Sequence, residues 1–116
     1  MQAGGVARSD TCPVKVMASV YWIPEDAGGR KAPPAGSTYI TSARFQDQSE
    51  AEWLRQSWSI VLEFTSSIDS HNTQMAAVRF LVPDAPTAWL FEGNRFSMHE
   101  GWKRTADCVI VSVDDP

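Results

Sequence analysis

The sequence predicts an all-β domain, a six-stranded antiparallel closed β-barrel. Three observations lead there. Six segments alternate apolar and polar residues with a period of two, the mark of strands with one buried face. Seven glycines and seven prolines separate the apolar runs, as short strands joined by turns require. Only Ser49 to Gln56 has helical character. Closing such a sheet on itself removes its exposed edges.

Residues 1–13 read as a flexible polar lead, 14–113 as a single barrel domain and 114–116 as a C-terminal tail. From Val14 to Trp22, Val14, Val16, Ala18, Val20 and Trp22 share one face, while Lys15, Met17, Ser19 and Tyr21 share the other. Residues 24–37, rich in proline and glycine, form a loop. A second strand follows over Thr38–Gln46. In the helical piece Ser49 stands at the N-cap and Glu52 at the capping-box position, but the piece is too short to stand without tertiary support. Ser57–Phe64 puts Trp58, Ile60, Leu62 and Phe64 on one face. After the polar turn Ser66–Thr73, Gln74–Val82 alternates again until Pro83 and Pro86 stop it. Arg95–His99 and Thr105–Val113 close the set as a hairpin around Glu100-Gly101-Trp102-Lys103. The expected core is Val16, Val20, Trp22, Ile60, Leu62, Val78, Phe80, Phe96, Val109 and Val111.

With 116 residues, 43% of them hydrophobic and 21% charged, the composition is that of an ordinary globular domain. No apolar run approaches the roughly 18 residues of a membrane span, and Met1–Asp10 holds no secretory-type apolar stretch. The expectation is a cytoplasmic protein without membrane contact. A net charge of −4 argues against a protein built chiefly to hold nucleic acid. Cys12 and Cys108 flank the first and last strands, so a bridge is geometrically open; two reduced thiols suit the compartment better.

Two glycine-punctuated turns carry a resemblance. Val20-Tyr21-Trp22-Ile23-Pro24-Glu25-Asp26 leads into Ala27-Gly28-Gly29-Arg30-Lys31-Ala32-Pro33, and the last hairpin reads Gly93-Asn94-Arg95-Phe96-Ser97-Met98-His99-Glu100-Gly101-Trp102-Lys103-Arg104-Thr105. In order and separation these resemble the C-terminal, third barrel domain of elongation factor Tu. There a strand runs into Glu-Gly-Gly-Arg-His-Thr-Pro and the final hairpin holds Arg-Glu-Gly-Gly-Arg. Tyr39, Phe45 and the stop at Val82-Pro83 are similar as well. The chain departs from the pattern in three places. His71-Asn72 replaces a Pro-Gly, His99 replaces the Arg before Glu100-Gly101, and Trp102 replaces the second Gly. Trp102 fits there only if the turn does not ask it for positive φ.

The resemblance implies a barrel whose Gly-Gly-Arg loop and Ala88–Phe91 segment would face a GTPase domain. The family's last hairpin touches the T-stem of tRNA, but the basic residues around Glu100-Gly101 are partly lost here, so tRNA binding is not carried over and nucleic acid is not the expected partner. The chain has no phosphate loop and no Asn-Lys-x-Asp, so neither GTP nor another cofactor is expected; Asp26-Ala27-Gly28-Gly29 matches Asp-x-x-Gly by coincidence. No catalytic constellation appears, and His71 and His99 read as solvated turn residues without metal-ligand spacing. Asp47, Glu50 and Glu52 read as solubilising carboxylates.

The candidate binding residues are therefore Gly28, Gly29, Arg30, Lys31, Trp89, Leu90, Phe91, Glu100, Gly101 and Trp102. Trp22, Trp58 and Trp53 follow from core alternation, whereas Trp89 and Trp102 lie in turn-like segments. Exposed Trp beside Arg is the composition of a protein interface. Trp89 has two readings: an exposed anchor near Arg30, or a plug folded into the barrel end. The leading expectation is a non-enzymatic protein-binding module, with self-association as a variant. The alternative is an RNA- or tRNA-binding accessory of translation using residues 100–104 with the Gly-Gly-Arg loop; a small enzyme with a hidden site is a third.

Overall fold

The computed structural model describes residues 15–114. Val14, Cys12 with its possible bridge to Cys108, the expected lead and residues 115–116 lie outside the described residues. Six strands form the fold: β1 (Lys15–Trp22), β2 (Thr38–Phe45), β3 (Trp58–Phe64), β4 (Thr73–Phe80), β5 (Arg95–Glu100) and β6 (Lys103–Asp114). All neighbours are antiparallel, in the order β1-β4-β3-β2-β5-β6, and β6 returns to β1 to close the barrel. β6 runs one residue past the expected end of the domain. Among the described residues no helix is long and apolar enough to cross a membrane.

The helical piece is α1 (Glu50–Arg55), and its cap is as expected. Ser49 Oγ accepts from the Glu52 N–H at 3.1 Å, while the Ser49 N–H donates to Glu52 Oε1 at 2.8 Å. Single 3-10 turns at Glu25–Ala27 and Thr87–Trp89 punctuate the two longest loops. β4 stops at Phe80, leaving Leu81 and Val82 exposed beyond the barrel rim.

Eight of the ten expected core residues are buried. Val109 and Val111 are not: Val109 is half-buried and Val111 is 41% exposed. Two bulges explain the error. Against β5, His99 pairs with Arg104 and Met98 with Ala106, so Thr105 is an extra residue. Against β1, Met17 pairs with Ser112 and Ala18 with Ile110, so Val111 is extra. Directly paired residues share a face, so Phe96 opposite Cys108 and Met98 opposite Ala106 send Cys108 and Ala106 inward. An uninterrupted period of two cannot reveal a bulge.

The turn before β4 shows what replaces Pro-Gly. Asn72 takes φ 58° there, in the left-handed region that Asn tolerates. Asp69 Oδ1 fixes the turn by accepting from the His71 and Thr73 N–H groups at 2.7 and 3.1 Å.

Candidate functional site

The Gly-Gly-Arg loop owes its shape to two different demands. Gly28 ends the 3-10 turn at φ 96°. Gly29 is needed for space, because a Cβ there would lie 1.8 Å from the Ile23 carbonyl oxygen. The loop thus lies on the chain leaving β1, with the Gly29 N–H donating to the Pro24 carbonyl at 2.9 Å. Arg30 emerges half-buried, and Lys31 beside it is exposed.

Arg30 is anchored rather than free. Its Nη1 pairs with Glu100 Oε2, its Nε donates to the Ala32 carbonyl at 3.0 Å, and its guanidinium lies 5.9 Å from the Tyr39 ring centre. The Tyr39 hydroxyl donates to Glu100 Oε2 at 2.7 Å and lies 2.9 Å from Thr105 Oγ1. Because the Tyr39 proton goes to Glu100, the Thr105 hydroxyl donates to the Tyr39 oxygen; the Met98 carbonyl, 3.2 Å away, is its other neighbour. The bulge at Thr105 is what turns this hydroxyl towards Tyr39. Burial pushes the Tyr39 phenol up, with Glu100 adding to the effect, so it stays protonated. Burial also pushes the Glu100 carboxyl up, but hydrogen bonds from Tyr39 and Arg30 and the Arg30 and Lys103 charges outweigh it; the carboxyl titrates below its usual range.

Glu100 and Lys103 face each other across a two-residue turn in which Gly101 alone takes positive φ, at 64°. Trp102 is therefore compatible with the turn, and it stands 71% exposed at the tip. Its ring meets that of Trp53 edge-on, with centroids 6.0 Å apart. Between this hairpin and the Gly28 loop runs a groove lined by Tyr21, Ile23, Pro24, Gly28, Trp102 and Lys103, among others.

Trp89, Leu90 and Phe91 are elsewhere. Trp89 packs on Phe45 at 5.3 Å, and Phe45 also touches Phe80 and Phe96 at 5.8 and 5.1 Å. Leu90 packs against the same core, while Phe91 is half exposed. Buried Asn94 holds the segment by donating to the Trp89 carbonyl at 2.7 Å and accepting from Gln46 Nε2 at 3.0 Å. Arg30 sits by Tyr39 and Trp89 by Phe45, six positions apart in sequence and roughly 20 Å along β2 at strand rise. The expected cluster of Trp89 with Arg30 does not form: the two lie at opposite ends of the barrel. Trp89 is closer to the plug.

His99 is a second correction. It lies within β5 rather than on a solvated turn, and it is 8% exposed. Trp53 covers it at a centroid distance of 4.7 Å. His71 is on the exposed turn as expected. Among the described residues no group of three His, Cys, Asp or Glu is placed to hold a metal ion.

Seven of the candidate residues gather at one end: Gly28, Gly29, Arg30, Lys31, Glu100, Gly101 and Trp102. Sequence reasoning missed Tyr39 and Thr105 as the parts that bind this end together. The usable signal was a tyrosine at an inward strand position, since a buried phenol needs a partner. No family model and no curated protein matches this chain.

Proposed function

We propose that this chain is a non-enzymatic, cytoplasmic protein-binding module on a barrel of the elongation factor Tu C-terminal type. It receives its partner at the end formed by the Gly28 loop and the Glu100–Lys103 hairpin. The observation that carries this reading is Trp102, 71% exposed on a tight turn and bordering the groove beside Gly28. The turn needs no large side chain at that position, and the ring's one aromatic contact among the described residues is its edge-on meeting with Trp53. An indole held on a rigid support is, however, an effective interface anchor, because little side-chain freedom remains to be lost on binding.

The network beneath it supplies the support. Arg30, Tyr39, Glu100 and Thr105 tie the loop to β2, β5 and β6. The RNA reading draws less support from this surface, since Arg30, the arginine of its loop, is already neutralised by Glu100.

A photo-reactive benzophenone amino acid at position 102, with a control at position 67, tests the proposal in cells that make the protein. A discrete protein adduct from position 102 alone is expected, either with another protein or with a second copy of this chain. Trp102→Ala should abolish binding of the protein so identified while costing no more than about 1 kcal/mol of stability, for the lost edge-on contact with Trp53. An adduct that ribonuclease removes would favour the RNA alternative, and no adduct at all would overturn the proposal.

A further inference from the structure

A second groove lies on the outer wall and adjoins the Trp102 groove, with which it shares Tyr21, Arg104 and Asp107. Strand register places Arg44 opposite Ser97 and Ser97 opposite Asp107. One step towards the hairpin, His99 stands opposite Arg104; one step the other way, Arg95 stands opposite Val109. Strands lie about 4.8 Å apart, so Arg44, Ser97 and Asp107 span only about 10 Å. A groove of about 490 Å³ opens over these residues, within the usual range for a small-molecule site. Three arginines and one aspartate give it a formal charge of +2 on a chain whose net charge is −4.

The donors here are under-used. The Arg95 side chain makes no hydrogen bond or ion pair among the described residues, and Arg44 spends only Nε, on the Gln48 carbonyl at 3.3 Å. Arg104 is held by Asp107 at 2.7 Å. His99 lines the groove with Nε2 2.8 Å from Ser97 Oγ, yet its buried Nδ1 has no partner among the described residues. Nε2 is thus the ring atom that faces the Ser97 side of the groove, while Trp53 covers the ring from α1.

We propose that this groove binds the dianionic phosphate group of a small phosphate monoester, through Arg44, Arg95 and Arg104 with Ser97 and His99. Donors arriving from three strands suit a tetrahedral group with several acceptor oxygens; a carboxylate is satisfied by a single guanidinium fork. The positive charge converges on one groove instead of running as a stripe, which favours a small ligand over a polyanion. Tyr21 and Val109 border the groove and give the organic body of the ester an apolar rest.

The imidazole reports occupancy. Burial, then the charges of Arg104 and Arg44, hold His99 below its usual value against the pull of Asp107; Trp53, packed on it from α1, carries no charge. A bound dianion offsets the two arginines and draws a proton from solvent onto the ring.

Phenyl phosphate is the probe, titrated into the full chain while the His99 ring signals are followed by NMR. Saturable shifts are expected, with the His99 midpoint rising by at least half a pH unit and with phenyl phosphate binding at least threefold tighter than inorganic phosphate. Arg95→Gln, at an exposed side chain with no bonds to lose among the described residues, should weaken binding tenfold with the melting temperature unchanged, and Arg44→Gln should weaken it likewise, with a small loss of stability from the Gln48 contact. Neither variant touches the Trp102 groove, so cross-linking from position 102 should persist in both. Absence of saturation, equal affinity for inorganic phosphate, indifference to both substitutions, or tighter binding of a short single-stranded RNA would each overturn the proposal.

Discussion

The two ends of this barrel are closed by different physics. At one, Phe45 touches Phe80, Phe96 and Trp89, and a single buried amide, Asn94, pins the covering segment. At the other, Trp22 and Tyr39 meet edge-on at 5.2 Å, but a hydrogen-bonded chain from Thr105 through Tyr39 and Glu100 to Arg30 orders the surface. Aromatic burial is non-directional and contributes in proportion to area. Hydrogen bonds and ion pairs add less net stability but fix direction. Trp22 also meets Phe64 at 5.9 Å, so both ends bury aromatic rings, and what distinguishes the second is the polar chain that positions a surface.

The largest effect should come from Phe45→Ala. At 2% exposure and in contact with three rings, its loss should cost about 3–5 kcal/mol. Trp89→Ala, at a half-buried ring, should cost less, measured by urea unfolding alongside it. Trp89→Ala proving neutral would mean that the segment covers the core without supporting it.

Tyr39→Phe should give an intermediate effect, about 1–2 kcal/mol, because Thr105 and Glu100 lose a buried partner while the ring packing remains. Hydrogen exchange should show the change at the Gly28 loop and the hairpin, leaving the Asn94 end protected. Faster exchange at both ends alike would deny that they are separable.

The smallest effect belongs to Glu100. Its folded carboxyl titrates below its unfolded value, so its stabilising contribution is complete above that value and fades as pH falls through the folded one. Wild-type stability should therefore decline below about pH 4.5, and Glu100→Gln should flatten part of that decline in melts at successive pH values. His99 acts with the same sign at higher pH: buried and neutral, it resists protonation, so stability should also ease downwards below about pH 6.5. The two windows are distinct enough that Glu100→Gln should alter the lower one alone.

Local chemistry was legible in the chain. Alternation marked β1 to β4 and placed Trp22, Ile60, Leu62, Val78 and Phe80 inside, and the capping box located α1 within a residue. Gly28, Gly29 and Gly101 marked turns because backbone geometry and close approach admit nothing larger at those places. These features depend on neighbours a few positions away, and such neighbours are visible in one sequence.

What only the tertiary structure decided depends on pairs far apart in the chain. Strand order alone sends Arg30 to Glu100, 70 positions away, and Trp89 to the opposite end of β2. The bulges at Thr105 and Val111 come from fitting β6 between two neighbours at once, and they reverse the face that its valines suggest. His99 is buried because α1 folds Trp53 over the outer wall, which no periodicity within β5 encodes. A strand carries its own alternation, but closure of the barrel sets its register, and register decides which side chains meet.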